Sequence, residues 1–71
     1  MVGGEVVGMT IGKDRIRLVI QGTGTDKHME VVKTIRIKLP MPTIVIGDEC
    51  WWQSRMLMFG RDKNEFTCEI I

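Results

Sequence analysis

Side chains able to carry out catalysis are few in this chain of 71 residues, and they are far apart in the sequence. Nucleophilic or acid-base catalysis needs a base that a supporting group holds against a nucleophile. The one histidine, His28, and the one serine, Ser54, lie in different segments. Asp48 and Glu49 are adjacent, so in a strand their side chains point to opposite faces and do not form a carboxylate pair. The sequence therefore predicts no catalytic residues and a protein that is not an enzyme.

Metal and cofactor sites are not indicated either. A structural zinc site needs four closely spaced ligands, whereas His28, Cys50 and Cys68 are three scattered candidates. The glycine-bearing stretch 22–25 lacks the Gly-Lys-Ser/Thr ending and the following helix of a phosphate-binding loop. We expect no cofactor and no metal.

The two cysteines, Cys50 and Cys68, are too few for the disulfide framework of a small secreted domain. We expect both to be reduced core residues, with a disulfide as the alternative if they lie on paired strands. The first residues do not show a basic region followed by an apolar one, which predicts no secretory signal and a cytoplasmic protein. The longest uncharged run, Leu39 to Gly47, is far shorter than the ~20 apolar residues of a membrane-spanning helix.

Alternation of apolar and polar residues is the dominant pattern, and no window shows apolar residues at helical spacing. The pattern predicts strands separated by the polar loop 22–28, a proline corner at 40–42 and a hairpin loop at 60–64. In the first strand, Val7, Met9 and Ile11 are predicted to share one face. In the second strand, Ile16, Leu18 and Ile20 are predicted to point inward. The predicted strands cover residues 6–11, 15–21, 30–39, 43–46, 50–53, 56–59 and 65–71.

Short strands joined by turns every 8–12 residues or so predict an all-β fold. We expect one domain over residues 1–71, a barrel or sandwich of SH3-like or OB-like type in which five or six of these segments form the strands. The pair Gly47-Asp48 before a strand resembles turns of SH3-like barrels. The chain also has a general resemblance, carried by no motif, to small accessory or inhibitor proteins encoded by bacteriophages.

Charge is distributed unevenly, although the formal net charge is only +1. Residues 13–38 carry seven basic and three acidic side chains, whereas residues 39–71 carry three basic and five acidic ones. If the second and third strands pair, one outer face holds Arg15, Arg17, Arg36 and Lys38. Such a face either neutralises nucleic-acid phosphates or is an ordinary solvated exterior. Residues 12–38 contain no aromatic side chain on which a base would stack.

The segment 47–59, GDECWWQSRMLMF, places the two tryptophans side by side. Because neighbouring strand residues face opposite ways, one thin core does not bury both. By analogy with Ile44 and Ile46, we assign Cys50 and Trp52 to the inner face, which leaves Trp51 outside. The alternative is that the sheet splits into two layers, or that a loop covers the second ring.

An exposed tryptophan beside methionines forms an apolar patch that monomers seldom leave uncovered. We therefore predict a non-enzymatic binding module that contacts a partner protein, or a second copy in a homo-oligomer, through Trp51, Arg55, Met56 and Met58. The alternative is a nucleic-acid-binding barrel that uses the basic face. A subunit whose only role is assembly is a third hypothesis.

Overall fold

The computed structural model describes residues 2–23, 29–38, 43–60 and 66–71. Most of the predicted loop 22–28, the corner at 40–42 and nearly all of the hairpin loop 60–64 lie outside these residues. The described residues contain six strands, which confirms the all-β prediction. They are β1 (Val2–Ile11), β2 (Arg15–Gly22), β3 (Glu30–Arg36), β4 (Glu49–Gln53), β5 (Met56–Phe59) and β6 (Phe66–Glu69).

All six strands form one sheet in the order β3-β2-β1-β4-β5-β6, and every neighbouring pair is antiparallel. Strands that follow one another in the chain pair as hairpins at β1-β2 and β4-β5, as the pattern predicted. The pairing of β1 with β4 joins the two halves. Just after β6, Ile70 forms an isolated bridge with Ile35 of β3, and the Ile71 N–H donates a 2.8 Å hydrogen bond to the Thr34 carbonyl.

Strand β1 differs from its prediction in length and in facing. It begins at Val2, because the glycine pair at positions 3 and 4 joins the sheet. Val6 pairs with Ile20 but Gly8 pairs with Val19, so Val7 is the extra residue of a β-bulge. The bulge shifts the alternation, which leaves Val6 buried and Val7 43% exposed. The prediction that Val7 shares a face with Met9 and Ile11 is therefore wrong, whereas Met9 and Ile11 do share one, opposite the buried Leu18 and Ile16.

The core lies on one face of the sheet, which we call the inner face. Its fully or nearly fully buried residues are Val6, Ile16, Leu18, Ile20, Ile35, Ile44, Cys50, Leu57, Phe59 and Cys68. These include the inward set that alternation predicted for β2. Residues from all six strands thus pack in one cluster.

Both cysteines are buried and free, as predicted. Cys50 lies on β4 and Cys68 on β6, with β5 between them, so they do not lie on paired strands. Burial raises the pKa of the Cys50 thiol to about 11, and the nearby Asp48 carboxylate acts in the same direction. Burial likewise raises the pKa of Cys68 to about 11. At neutral pH both thiols are therefore protonated and poorly reactive.

The predicted strand 43–46 is absent, and a turn takes its place. Gly47 has a φ of +100°, which glycine adopts without steric cost. The Asp48 N–H donates to the Val45 carbonyl at 3.1 Å, and the Val45 N–H donates to Asp48 Oδ2 at 3.0 Å. Two further bonds, from Gly47 N–H to the Val6 carbonyl and from Val6 N–H to the Asp48 carbonyl, hold the turn against β1. Ile46 consequently points outward and is 58% exposed, contrary to its predicted inward position.

Candidate protein-binding site

The β4-β5 hairpin positions the two tryptophans. Trp51 pairs with Met58 on β5 and with Gly3 on β1, whereas Trp52 pairs with Leu57 and Val2. A two-residue turn joins the strands, and its first residue, Ser54, has a φ of +55°. Trp51 and Trp52 therefore face opposite sides of the sheet, as the alternation predicted.

Trp51 lies on the outer face, where its indole covers Gly3. A Cβ atom placed on Gly3 would be 2.9 Å from Trp51 Cδ1 and 3.0 Å from Nε1. The ring thus occupies the space that a side chain at position 3 would need, as when an aromatic residue covers a strand glycine. This contact leaves Trp51 half-buried, which corrects the expectation of an exposed ring.

Two methionines extend the apolar surface away from Trp51. Met58 is half-buried between Trp51 and Thr67, and Met56 is 41% exposed between Gln53 and Glu69. The exposed Arg55 lies in the adjoining turn. We call Trp51, Arg55, Met56 and Met58 the Trp51 patch. It has an apolar centre and a polar rim, the arrangement that is typical of protein interfaces.

Trp52 points inward but is only half-buried. It packs against the core, and the ammonium of Lys33 lies 5.7 Å from its ring centroid. Lys33 is opposite Leu18 on the inner face, so its stem packs while its charge rests on the indole. Such a contact contributes about 0.5–1 kcal/mol where water has access.

The predicted basic face is assembled by the pairing of β2 with β3. Arg15 lies directly opposite Arg36, and Arg17 is two residues farther along β2, opposite Thr34. Lys38 is exposed beyond the end of β3, where the Ile37 N–H donates to the Asp14 carbonyl at 2.8 Å. Arg15 Nε is 3.9 Å from Asp14 Oδ1, an exposed ion pair of small energetic effect. The structure therefore brings three of the four predicted residues together and leaves Lys38 at their margin.

An acidic row, which no sequence pattern predicted, crosses the other end of the same outer face. Glu5 on β1 pairs with Glu49 on β4, and it also pairs with Gln21 on β2. Gln21 in turn pairs with Glu30 on β3. The pairing of β1 with β4 and the early start of β1 create this row, and neither leaves a signal in local alternation.

Other kinds of site are not found in the part of the chain that the structure describes. Residues 2–23, 29–38, 43–60 and 66–71 contain no group of three or more His, Cys, Asp or Glu side chains placed to hold a metal ion. Nor do these ranges contain a helix long and apolar enough to cross a membrane. No protein-family model, curated protein or solved structure matches the chain.

Proposed function

We propose that this protein is a non-enzymatic binding module that associates with another protein through the Trp51 patch. The observation that carries the proposal is the outward-facing Trp51, held over Gly3 and continuous with Met58 and the exposed Met56. A large aromatic side chain buries ~150–250 Å² in full, so a partner that covers the part of Trp51 still in contact with water adds to the free energy of association.

The contact of Trp51 with Gly3 also favours a binding role for this side chain. A ring that already packs against the backbone has few orientations to lose when a partner covers it, so its ordering cost on association is small. Tryptophan, methionine and arginine are the residue types enriched in interfaces, and Arg55 borders the patch. The partner is a different protein or a second copy of this chain.

We further propose that the sheet curves into a small SH3-like or OB-like barrel. The bridge from Ile35 to Ile70 and the Ile71–Thr34 hydrogen bond bring the two edge strands together. The contact of Lys33 on β3 with Trp52 on β4 spans the interior, since two strands separate them in the sheet. Hydrogen exchange tests this proposal, because a closed edge protects the Ile71 amide. The reduced state of Cys50 and Cys68 is the basis for proposing a cytoplasmic location.

A pair of matched variants tests the binding function. Met56→Lys places a charge in the patch, whereas Ile46→Lys places the same charge on an exposed aliphatic residue outside it. Both residues are exposed, so circular dichroism should show both variants folded. Tagged protein should lose its co-purifying partner only with Met56→Lys, and light scattering should show whether that partner is a second copy. Equal retention of partners by the two variants would contradict the proposal.

One observation favours a second candidate function, binding of nucleic acid. Arg15 and Arg36 are direct cross-strand partners, and like charges in such pairs are destabilising. A phosphate between them would remove the repulsion. Fluorescence anisotropy with labelled single- and double-stranded oligonucleotides at ~50 mM salt tests this function. Binding that weakens with Arg36→Gln and falls steeply with salt supports it, whereas no binding at ~50 mM salt removes it.

A further inference from the structure

The outer face of β3, β2 and β1 carries opposite charges at its two ends. The basic end consists of Arg15, Arg17 and Arg36, and the acidic end consists of Glu5 and Glu30. All five of these side chains are exposed. Along the direction of the strands, the face is therefore positively charged at one end and negatively charged at the other.

Valines separate the two ends. Val32 on β3 pairs with Val19 on β2, which pairs with Gly8 beside the bulged Val7. Val32 is 49% exposed and Val7 is 43% exposed. We call this region, from the arginines through the valines to the glutamates, the three-strand face. Val32, Val19 and Gly8 form a row across the three strands, which we call the valine row. Gly8 has no side chain, so an opposing surface can approach the backbone of β1 closely at this point.

The charges are spaced symmetrically about the valine row. Arg17 is two residues before Val19 and Gln21 is two residues after it, so each lies ~7 Å from Val19 along the strand. Gln21 is flanked by Glu5 on one side and Glu30 on the other, each one strand spacing of ~4.8 Å away. A two-fold axis along the valine row thus places Arg17 of one copy over Gln21 of the other, between two carboxylates.

We propose that the three-strand face binds a second copy of this chain, with valine row on valine row and Arg17 of each copy between Glu5 and Glu30 of the other. Such an interface is isologous, so both arginine–glutamate clusters form at once and the assembly closes as a dimer. It lies on strands other than β4 and β5, which leaves the Trp51 patch available to a different protein.

The acidic end decides between a second copy and a nucleic acid as the occupant. A polyanion long enough to cross the three-strand face along the strands meets Glu5 and Glu30 after it leaves the arginines. A second copy in the antiparallel orientation satisfies both ends. The face measures only about 300–400 Å² in projection, three strands by some seven residues, so the dimer is weak and sensitive to salt.

Charge reversal with complementation tests the proposal. Sedimentation velocity at low salt should show wild-type association that increases with concentration. Arg17→Glu alone, and the double variant Glu5→Lys/Glu30→Lys alone, should each associate at least ten-fold more weakly. An equimolar mixture of the two should recover wild-type affinity. In that heterodimer the introduced glutamate of one copy meets the two introduced lysines of the other, and the unchanged Arg17 meets the two unchanged glutamates.

Two controls make each outcome decisive. Lys13→Glu reverses an exposed charge past the end of the three-strand face, and it should leave association unchanged. Met56→Lys is the second comparison, because it changes the Trp51 patch and not the three-strand face. A monomeric wild type at every concentration overturns the proposal, and so does a mixture that fails to recover. Loss of association with Met56→Lys but not with Arg17→Glu also overturns the proposal, because it assigns self-association to the Trp51 patch. Oligonucleotide binding that Glu5→Lys/Glu30→Lys strengthens, in a protein that does not dimerise, overturns it by assigning the basic end to nucleic acid.

Discussion

Three glycines of β1 should respond very differently to the same substitution, because each faces different atoms. At Gly8 a Cβ atom would meet Val19 Cβ at 3.3 Å. At Gly4 it would meet Ile20 Cγ2 at 2.5 Å and the Gln21 carbonyl oxygen at 2.7 Å. At Gly3 its nearest neighbours would be Trp51 ring atoms, at 2.9 and 3.0 Å. The glycine-to-alanine series therefore probes the register and the outer face together.

The expected change in the free energy of unfolding depends on which atoms must move to make room for the new methyl group. Replacing glycine with alanine lowers the conformational entropy of the unfolded chain, and this effect alone stabilises the folded protein by about 0.4–1 kcal/mol. At Gly8 a shift of a few tenths of an ångström in Val19 offsets this gain, so Gly8→Ala should be nearly neutral. At Gly4 the obstacle includes a backbone oxygen of the β1-β2 ladder, so Gly4→Ala should cost about 3 kcal/mol, at the upper end for overpacking. At Gly3 the indole can swing away, so Gly3→Ala should cost only about 1 kcal/mol, at the lower end of the same range.

Thermal denaturation and tryptophan fluorescence measure these effects separately. A change of 1 kcal/mol shifts the melting temperature of a domain this small by about 4–8 °C, so Gly4→Ala should melt more than about 10 °C below Gly8→Ala. In a Trp52→Phe background, Gly3→Ala should shift Trp51 emission to the red, because the displaced ring enters water. Equal stability of the Gly4 and Gly8 variants would refute the register of β1, and unchanged Trp51 emission would refute the packing of its ring on Gly3.

Turn and thiol predictions follow from the same structure. Ser54→Gly should stabilise the fold by about 1 kcal/mol, because a non-glycine residue at positive φ carries a steric cost of ~1–2 kcal/mol. Urea denaturation measures the change, and a loss of stability would contradict the turn geometry. Gly47→Ala should lower the free energy of unfolding by a similar amount in the same assay. The cause is the positive φ, since the added Cβ would meet no atom within 4 Å, and an unchanged midpoint would contradict the left-handed backbone at this position. Cys50 and Cys68 should react with a disulfide reagent at pH 8 only after unfolding, and fast reaction of the native protein would contradict their burial. Because their folded pKa of about 11 exceeds the reference value of 9.0, the contribution of the two thiols to stability is fully present well below pH 9 and is lost as pH rises through 9 towards 11. A rise in stability over that range would contradict the raised pKa values.

Local alternation predicted the parts of the fold that depend on one strand and its chain neighbour. The inward set of β2 and the outward Arg15 and Arg17 follow from a period of two alone. The opposite facing of Trp51 and Trp52 has the same origin. Pairing of β2 with β3 then fixes which basic residues become neighbours.

The errors arose where glycine or a non-local contact overrides the local pattern. Gly3 and Gly4 have low strand propensity, yet they extend β1 because Trp51 and Ile20 fill the space beside them. The bulge at Val7 reverses the facing of one half of β1 relative to the other. The pairing of β1 with β4 is distant in sequence, so the acidic row was not predictable from any single segment.

Cross-linking from a defined position tests the central proposal, association through the Trp51 patch, most directly. A photoreactive benzoylphenylalanine introduced at position 56 samples the centre of the patch, and the same residue at position 46 samples an exposed aliphatic site outside it. Irradiation in cells should give a discrete cross-linked species from position 56 and none from position 46. Absence of any cross-link from position 56, or identical products from both positions, would contradict the assignment of this face as the binding surface.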